Sequence, residues 1–474
     1  MATSRLGHRL VRMGQSSRVA PPTVTLRCDI MYRWYHWLSA LFLLSAIDAF
    51  GFIDRVMYGN WAGKTGDTIT STIRFLLILQ SLTLFGYSYF RNRDARRGRS
   101  VGTNLALLTV GFLFVTSFWS MDARATMTAA TVYLCVLLGA IGIARILDPE
   151  RYMHLLCCAC FLTAIESLLL AIVSPGTAFM EGAVPDFIGI FPSKNVLGYT
   201  MAAGALACLH GIRVARRPPL YKIVMVLVFA GMTVAAKATG ALLATLSFCG
   251  ISAFFTLWQK GKTGRLVGIL LAIGIAPVVI VMIVAPDAGL ELIGKDPTLT
   301  GRTEIWAFVI NDIWMKPLFG WGYFGFWHGN NPAAREISDA VNWTVPEAHN
   351  GLLELLLTVG IVGTALFFWL FIRNISLAFR CLGTPAKALA VSAIMCYVGL
   401  LMRGVSEAIL LAATEPYTPI FFVTGLMCEQ AVWVTKRRRF QAQRPQYPGG
   451  RLRNTGLLTT RSAGNFAGPT HGRV

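Results

Sequence analysis

Apolar runs about the length of a membrane span, separated by short polar stretches, recur along nearly the whole chain. A helix crossing a bilayer core needs about 20 mostly apolar residues. By that measure the pattern predicts twelve spans, near 34–53, 73–90, 101–119, 126–147, 152–173, 195–213, 220–236, 239–258, 265–285, 349–371, 387–411 and 416–434. The fold class expected is an all-α polytopic membrane protein. One connection breaks the rhythm, a loop over 286–348. Long ordered loops in compact proteins generally have a function. In "GRTEIWAFVINDIWMKPLFGWG", Ile305, Trp306, Val309, Ile310, Ile313 and Trp314 fall on one helical stripe, with Arg302, Glu304, Asn311 and Asp312 mostly off it. This predicts an amphipathic helix, ended by Pro317 and Gly320, that lies on the membrane surface or caps the bundle.

Composition agrees. The 474 residues are 55% apolar and 14% charged, with mean hydropathy +0.57; soluble domains average about 25% charged residues. The net charge of +20 raises the question of nucleic acid, but the placement of the charges answers it. Cations cluster at both ends and in alternate loops: "RNRDARRGR", Arg145 to Arg151, "RVARRPPLYK", "KGKTGR", and Arg373, Arg380 and Lys387. That is the positive-inside pattern. It predicts no nucleic-acid partner, cytoplasmic termini and a periplasmic 286–348 loop. Residues 1–33 carry six arginines and no apolar core, so they read as a basic cytoplasmic segment rather than a cleavable signal. Residues 34–434 form the transmembrane domain, and 435–474 read as a disordered basic tail in reach of anionic membrane lipids. Most of the ten cysteines sit inside apolar runs, as small buried hydrophobes do. "HLLCCAC" brings His154, Cys157 and Cys158 to one helix face, most simply a packed one.

Polar groups gather where spans meet the non-cytoplasmic side. Lys194 and Asn195 open the sixth span, Lys237 lies between the seventh and eighth, and Arg302 starts the loop helix. His349 and Asn350 open the tenth span; Arg403 and Glu407 stand at the outer end of the eleventh. Each has an ordinary reading: Asn195 a helix cap, Lys194 a snorkelling side chain, Arg403 and Glu407 an i, i+4 pair. As a set they suit transfer from a diphosphate-linked donor to an alcohol. Lys and Arg hold the diphosphate, Arg through a planar fork, and His takes the proton of the attacking hydroxyl. No DxD motif and no Gly-rich phosphate loop occurs, so the pattern calls for no metal and no nucleotide cofactor. A transporter or flippase would use Asp48, Glu166 and Glu407 as coupling carboxyls, but the chain has no internal repeat to support it.

The order "GRTEIWAFVINDIWMKPLFGWGYFGFW", then "EAHNGLLELLLTVGIVGTALF", resembles the O-antigen ligase and Wzy-type polysaccharide polymerase family, its exopolysaccharide-production polymerases in particular. In that family an Arg and a Trp open a loop helix, a Pro-Leu-x-Gly-x-Gly turn follows, and His-Asn begins the next membrane helix; here these are Arg302, Trp306, "PLFGWG", His349 and Asn350. "FPSKNVLGY" resembles a further motif ahead of an earlier span, and the likeness covers about residues 185–370. It implies a GT-C-like, metal-independent, inverting glycosyltransferase in the bacterial inner membrane, with its active site on the periplasmic side. The donor would be an undecaprenyl-diphosphate-linked oligosaccharide, with Arg302 as donor ligand and His349 as general base. Lys194, Asn195, Lys237, Asn350, Arg403 and Glu407 are the candidate substrate contacts. Lys237, in "AAKATGALLA", stands near where the family carries an Arg, one departure from its pattern. A chain-length co-polymerase is the protein partner implied. Ligation of the glycan to a lipid or protein acceptor needs the same donor chemistry and stays open beside polymerisation.

Overall fold

The apolar runs fold as helices, the form that satisfies backbone polar groups within one segment. The computed structural model describes residues 34–47, 67–91, 100–180, 185–270, 273–274, 302–328, 331–413 and 415–443. The basic N-terminal segment, Asp48, most of the ninth predicted span, 286–301 and the tail beyond 443 lie outside the described residues. The helices are α1 (Trp34–Ala46), α2 (Asp67–Arg91), α3 (Val101–Val115), α4 (Ala123–Ile146), α5 (Pro149–Val173), α6 (Lys194–Val214), α7 (Leu220–Ala235) and α8 (Thr239–Trp258). They continue with α9 (Arg302–Met315), α10 (Pro332–Val341), α11 (Gly351–Cys381), α12 (Lys387–Gly404) and α13 (Tyr417–Ala442). Strand is confined, among the described residues, to a hairpin of β1 (Phe179–Met180) and β2 (Asp186–Phe187).

Seven described helices are long and apolar enough to cross a membrane: α3 with its 3-10 extension to Phe118, α4, α5, α6, α8, α11 and α12. Leu220–Ala235 and Phe75–Phe90 are shorter apolar helices. The other predicted spans fall on α1, on a helical stretch at 262–270 and on α13, whose last turns are basic. Two predicted boundaries move: the tenth span begins at Gly351, and the eleventh ends at Gly404. His349 and Glu407 therefore lie just outside the helices. Large apolar side chains on the bundle face outward, among them Phe75, Ile172, Leu227, Trp369 and Ile372. A water-soluble surface avoids such a density of exposed apolar groups. Threonines donate to the carbonyl four residues back, as Thr109 does to Leu105 and Thr200 to Val196, which satisfies a hydroxyl where water is excluded.

Packing centres on α6, which contacts α5, α7, α8 and α12. Its small residues permit this close approach. A Cβ at Gly198 would lie 2.5 Å from that of Ala238, and one at Gly204 would meet the Phe229 ring at 2.7 Å. A satellite core of Ile305, Val309, Phe326, Ala334, Ile337, Val345, Ala348 and Leu357 joins α9 and α10 to the start of α11. Truncating a fully buried member such as Ile337 to Ala would cost about 2–5 kcal/mol. The described residues up to 432 fall in one compact unit, which holds the candidate site, and those from 433 to 443 in another.

The loop helix departs from its predicted stripe. Ile305 and Val309 are buried as expected, but Ile310 and Trp314 are exposed, and Asp312 is buried in their place. The reason is that α9 docks on α11 and α10 through positions 305, 309 and 312 rather than lying with its whole apolar stripe against one surface. Burial, helped by the charge of Glu336, raises the Asp312 carboxyl to about 6. The second loop helix, α10, went unread in the sequence. Its signals were present: Asn331 caps it, Pro332 occupies the first turn, and Asn342 closes it in the left-handed conformation.

Candidate functional site

The "PLFGWG" turn and the tenth span are stitched together backbone to backbone. Helix α11 breaks at Gly360 (φ 63°, ψ −171°), a region open essentially to glycine. The break frees two carbonyls that an unbroken helix would use: Trp321 N–H donates to Leu357 O and Gly322 N–H to Thr358 O, both at 2.9 Å. In return Ile361 N–H donates to Pro317 O at 2.9 Å and Val362 N–H to Leu318 O at 3.1 Å. Gly320 (φ 67°) sits against this kink, where a Cβ would fall 2.5 Å from the Thr358 carbonyl carbon. The glycines of the motif are thus demanded by a close backbone crossing, which fixes α9 relative to α11.

That crossing sets the distance between Arg302, the first residue of α9, and His349, two residues before α11. His349 is held from both neighbours. The Ala348 carbonyl accepts from Trp306 Nε1 at 3.0 Å, and the Ala348 N–H donates to Glu354 Oε2 at 2.9 Å. Glu354 is itself held by Trp327 Nε1. On the other side Asn350 caps α11, its Oδ1 accepting from Leu352 and Leu353 N–H. Between these anchors His349 adopts φ 48°, a left-handed backbone unfavourable for a residue with a Cβ. Asn350 is therefore seen as a cap, whereas the cap expected of Asn195 belongs to Ser193.

Glu407 is the hub. Asn195 Nδ2 donates to its Oε1 at 2.6 Å, Arg302 Nη2 lies 3.8 Å from Oε1, and His349 Nδ1 lies 3.9 Å from Oε2. Arg302 Nη1 also donates to Ser406 O at 2.9 Å. Burial alone would raise Glu407, but His349 together with the charges of Arg403 and Arg302 holds it down to about 2. His349 Nδ1 is 3.1 Å from Glu347 Oε1, an ion-pair distance without the alignment of a hydrogen bond. Burial opposes the charge on His349; the two flanking carboxylates win and raise it to about 9.

The other expected residues occupy a second cluster and a lower layer. Lys194 and Lys237 both reach Asp186, which the sequence reading did not single out. Arg403 is 1% exposed; it pairs through both amino groups with Glu415 and lies over the Tyr199 ring, 5.1 Å from its centre. It does not pair with Glu407 as their i, i+4 spacing would suggest. The Arg403 side chain acts on the site as a buried charge beneath Glu407, and its backbone carbonyl accepts from Glu407 N–H at 3.0 Å. Glu347, Glu354, Glu415 and Asp186 complete the constellation. Glu347 alone could have been found in the sequence, beside His349 in "EAHNG".

Glu347, His349 and Glu407 offer three ligand atoms within 4.8 Å of one another, a spacing a divalent cation could bridge. Such an ion would compete with Arg302 and Asn195, whose donors already serve Glu407. What the arrangement offers chemically is a titratable imidazole between two carboxylates, next to a guanidinium, on chain segments that border apolar helices.

Two comparisons bear on this geometry. The exopolysaccharide production protein ExoQ of Rhizobium meliloti (strain 1021) is 25% identical over 270 residues, 54% of this chain and 60% of the relative. The chain thus spans less than two thirds of the length of that curated relative. Residues 223–368 match the family model described as O-Antigen ligase, a stretch that contains Lys237, Arg302, His349 and Asn350 but not Lys194, Asn195, Arg403 or Glu407. The segment that joins Arg302 to His349 through the stitched turn lies wholly within the residues that match that model.

Proposed function

We propose that the chain is a membrane-embedded glycosyltransferase that polymerises undecaprenyl-diphosphate-linked repeat units into exopolysaccharide, at the periplasmic face of the inner membrane. The observation that carries this reading is the meeting of Arg302, His349 and Glu407 just outside the ends of apolar helices. A polyprenyl donor has its lipid in the bilayer and its sugar in water, and this place touches both. In the step proposed, the acceptor hydroxyl oxygen attacks the anomeric carbon from the face opposite the diphosphate. The hydroxyl proton passes to neutral His349, the bond from the anomeric carbon to the diphosphate oxygen breaks, and the configuration inverts. Arg302 carries the charge that develops on the leaving diphosphate. Glu347 and Glu407 stabilise the imidazolium, the part the carboxylate plays in a Ser-His-Asp triad. Cationic side chains do the work a metal ion would do, so the step needs none.

The family description supports a second reading, ligase-type transfer of the glycan to a lipid or protein acceptor. The donor half of the site serves both; only the acceptor differs. The test uses purified protein with a lipid-linked repeat unit, without nucleotide or metal. Wild type is expected to give a ladder of longer lipid-linked glycans, and His349→Ala to lose it. A ladder of normal length and yield from His349→Ala would remove the imidazole from the mechanism.

A further inference from the structure

Two of the cations expected to bind substrate already carry an anion. Lys194 Nζ lies 2.7 Å from Asp186 Oδ2, Lys237 Nζ lies 3.6 Å from Asp186 Oδ1, and Lys237 also donates to Pro185 O at 3.3 Å. The three arrive from separate elements. Asp186 opens β2 opposite Met180 of β1, Lys194 is the first residue of α6, and Lys237 is held at φ 54° in the turn between α7 and α8. Among the described residues two lysines face one carboxylate, which leaves this triad with one positive charge, reinforced by the amino end of a 21-residue helix. Burial works against the Asp186 charge, yet the bond and charge of Lys194, with Lys237 behind, hold its carboxyl below the usual range. The cluster is open to solvent: the lysine side chains are 37% and 45% exposed. Asn195, next to Lys194, donates to Glu407, so one helical turn serves both this cluster and the Arg302–His349 site.

We propose that Asp186 is a built-in counter-ion seated in a diphosphate subsite formed by Lys194 and Lys237, and that it selects for diphosphate over singly charged phosphate esters. This rests on the donor class named under Proposed function. A half-exposed carboxylate–lysine contact is weak. An incoming phosphodiester has one negative charge, no more than the carboxylate it would displace. A diphosphate ester brings more charge and more acceptor oxygens, enough to engage both lysines at once. Anionic phospholipid headgroups, abundant at the border of a membrane, would thereby be kept off the lysines while the lipid-linked donor is admitted.

The test measures binding to the full chain in nanodiscs of zwitterionic lipid. The probes are inorganic pyrophosphate, inorganic phosphate, farnesyl diphosphate as a short polyprenyl diphosphate, and added phosphatidylglycerol. Asp186→Asn is expected to bind pyrophosphate and farnesyl diphosphate about fivefold more tightly, the scale of one exposed ion pair removed. It is also expected to gain phosphate and phosphatidylglycerol binding that the wild type lacks. Adding Lys194→Gln and Lys237→Gln should abolish both gains. Asp186→Ser serves as a second variant, and an unchanged unfolding temperature shows that each variant is folded. Unchanged or weaker pyrophosphate binding in folded Asp186→Asn would overturn the proposal, and so would a gain that survives loss of both lysines. These measurements involve no acceptor glycan. If the gain appears and no polymer is ever made, the subsite stands and the polymerase reading falls.

Discussion

If His349 takes the acceptor proton, activity must follow the small neutral fraction of a strongly basic imidazole. Two carboxylates, Oε1 of Glu347 at 3.1 Å and Oε2 of Glu407 at 3.9 Å, raise it from 6.5 to about 9 despite burial. At 1.36 kcal/mol per pH unit this is about 3 kcal/mol in favour of the charged form. On that basis about 1% of the imidazole is neutral at pH 7, about 10% at pH 8 and half at pH 9. The initial rate of polymer formation at low donor concentration should therefore rise about tenfold from pH 7 to pH 8 and level off above about 9. Glu347→Gln removes the nearer carboxylate, so its profile should level off at a lower pH. The same titration acts on stability with a definite sign. A group raised in the folded state stabilises fully below its unfolded value near 6.5, and that contribution is lost as pH rises through about 9. The unfolding temperature of the wild type should fall across this window, and that of His349→Gln should fall less. A rate that is flat or declines from pH 7 to 9, or a Glu347→Gln profile superposable on that of the wild type, would refute His349 as the base and recast it as a fixed cation.

Three further outcomes follow from the geometry. Arg302→Lys keeps the charge but not the fork that serves Ser406 O and Glu407 together, so the rate at low donor concentration should drop on the order of 100-fold with little change in unfolding temperature. Gly360→Ala places a Cβ 2.4 Å from Leu318 O at a backbone angle only glycine adopts readily; breaking the stitched crossing should lower stability by about 2–4 kcal/mol, read as a fall in unfolding temperature. Glu354→Ala leaves the Ala348 N–H and the Trp327 indole without their acceptor. It should cost about 1–3 kcal/mol for each buried group, and it should lower the catalytic rate more than donor affinity, because the carboxylate holds His349 in place without touching the donor.

Much of this was legible in the sequence, for reasons visible in particular residues. Helices long enough to cross a bilayer announce themselves by composition, and α4 (Ala123–Ile146) and α5 (Pro149–Val173) lie within three residues of where the apolar runs predicted them. Arg302 and His349 could be singled out as candidates because they stand at or just before helix starts beside Gly- and Trp-rich motifs, and the structure brings both to Glu407. Partnerships were not readable. Nothing in the spacing of Arg403 and Glu407 says that the arginine turns to Glu415, twelve residues on, while Glu407 turns to Asn195, 212 residues back. Asp186 lies in a hairpin too short to leave a periodic trace. The buried Asp312 broke the apolar stripe of α9 because docking on two neighbours selects a different face from the one hydrophobicity marks.

The site also explains why so many of its charges are paired. An unpaired guanidinium at the end of an apolar helix is expensive, and a buried ion pair seldom repays its desolvation when a hydrophobic pair could replace it. Arg403 with Glu415 is therefore poor evidence for stability and better evidence for electrostatics: it puts a fixed positive charge beneath Glu407 and helps keep that carboxylate ionised. An ionised Glu407 is what draws Arg302 from α9, Asn195 from α6 and His349 from the start of α11 to one point. The left-handed backbone of His349 fits the same account. Strain of this kind persists only where the surroundings over-determine it, and here the Ala348 peptide is held at both ends while Asn350 is committed as a cap. A loop that merely joined two spans would relax that residue. This one holds it strained, with its imidazole between two carboxylates and beside a guanidinium, the fixed position that the proposed proton acceptor for a lipid-borne substrate would require.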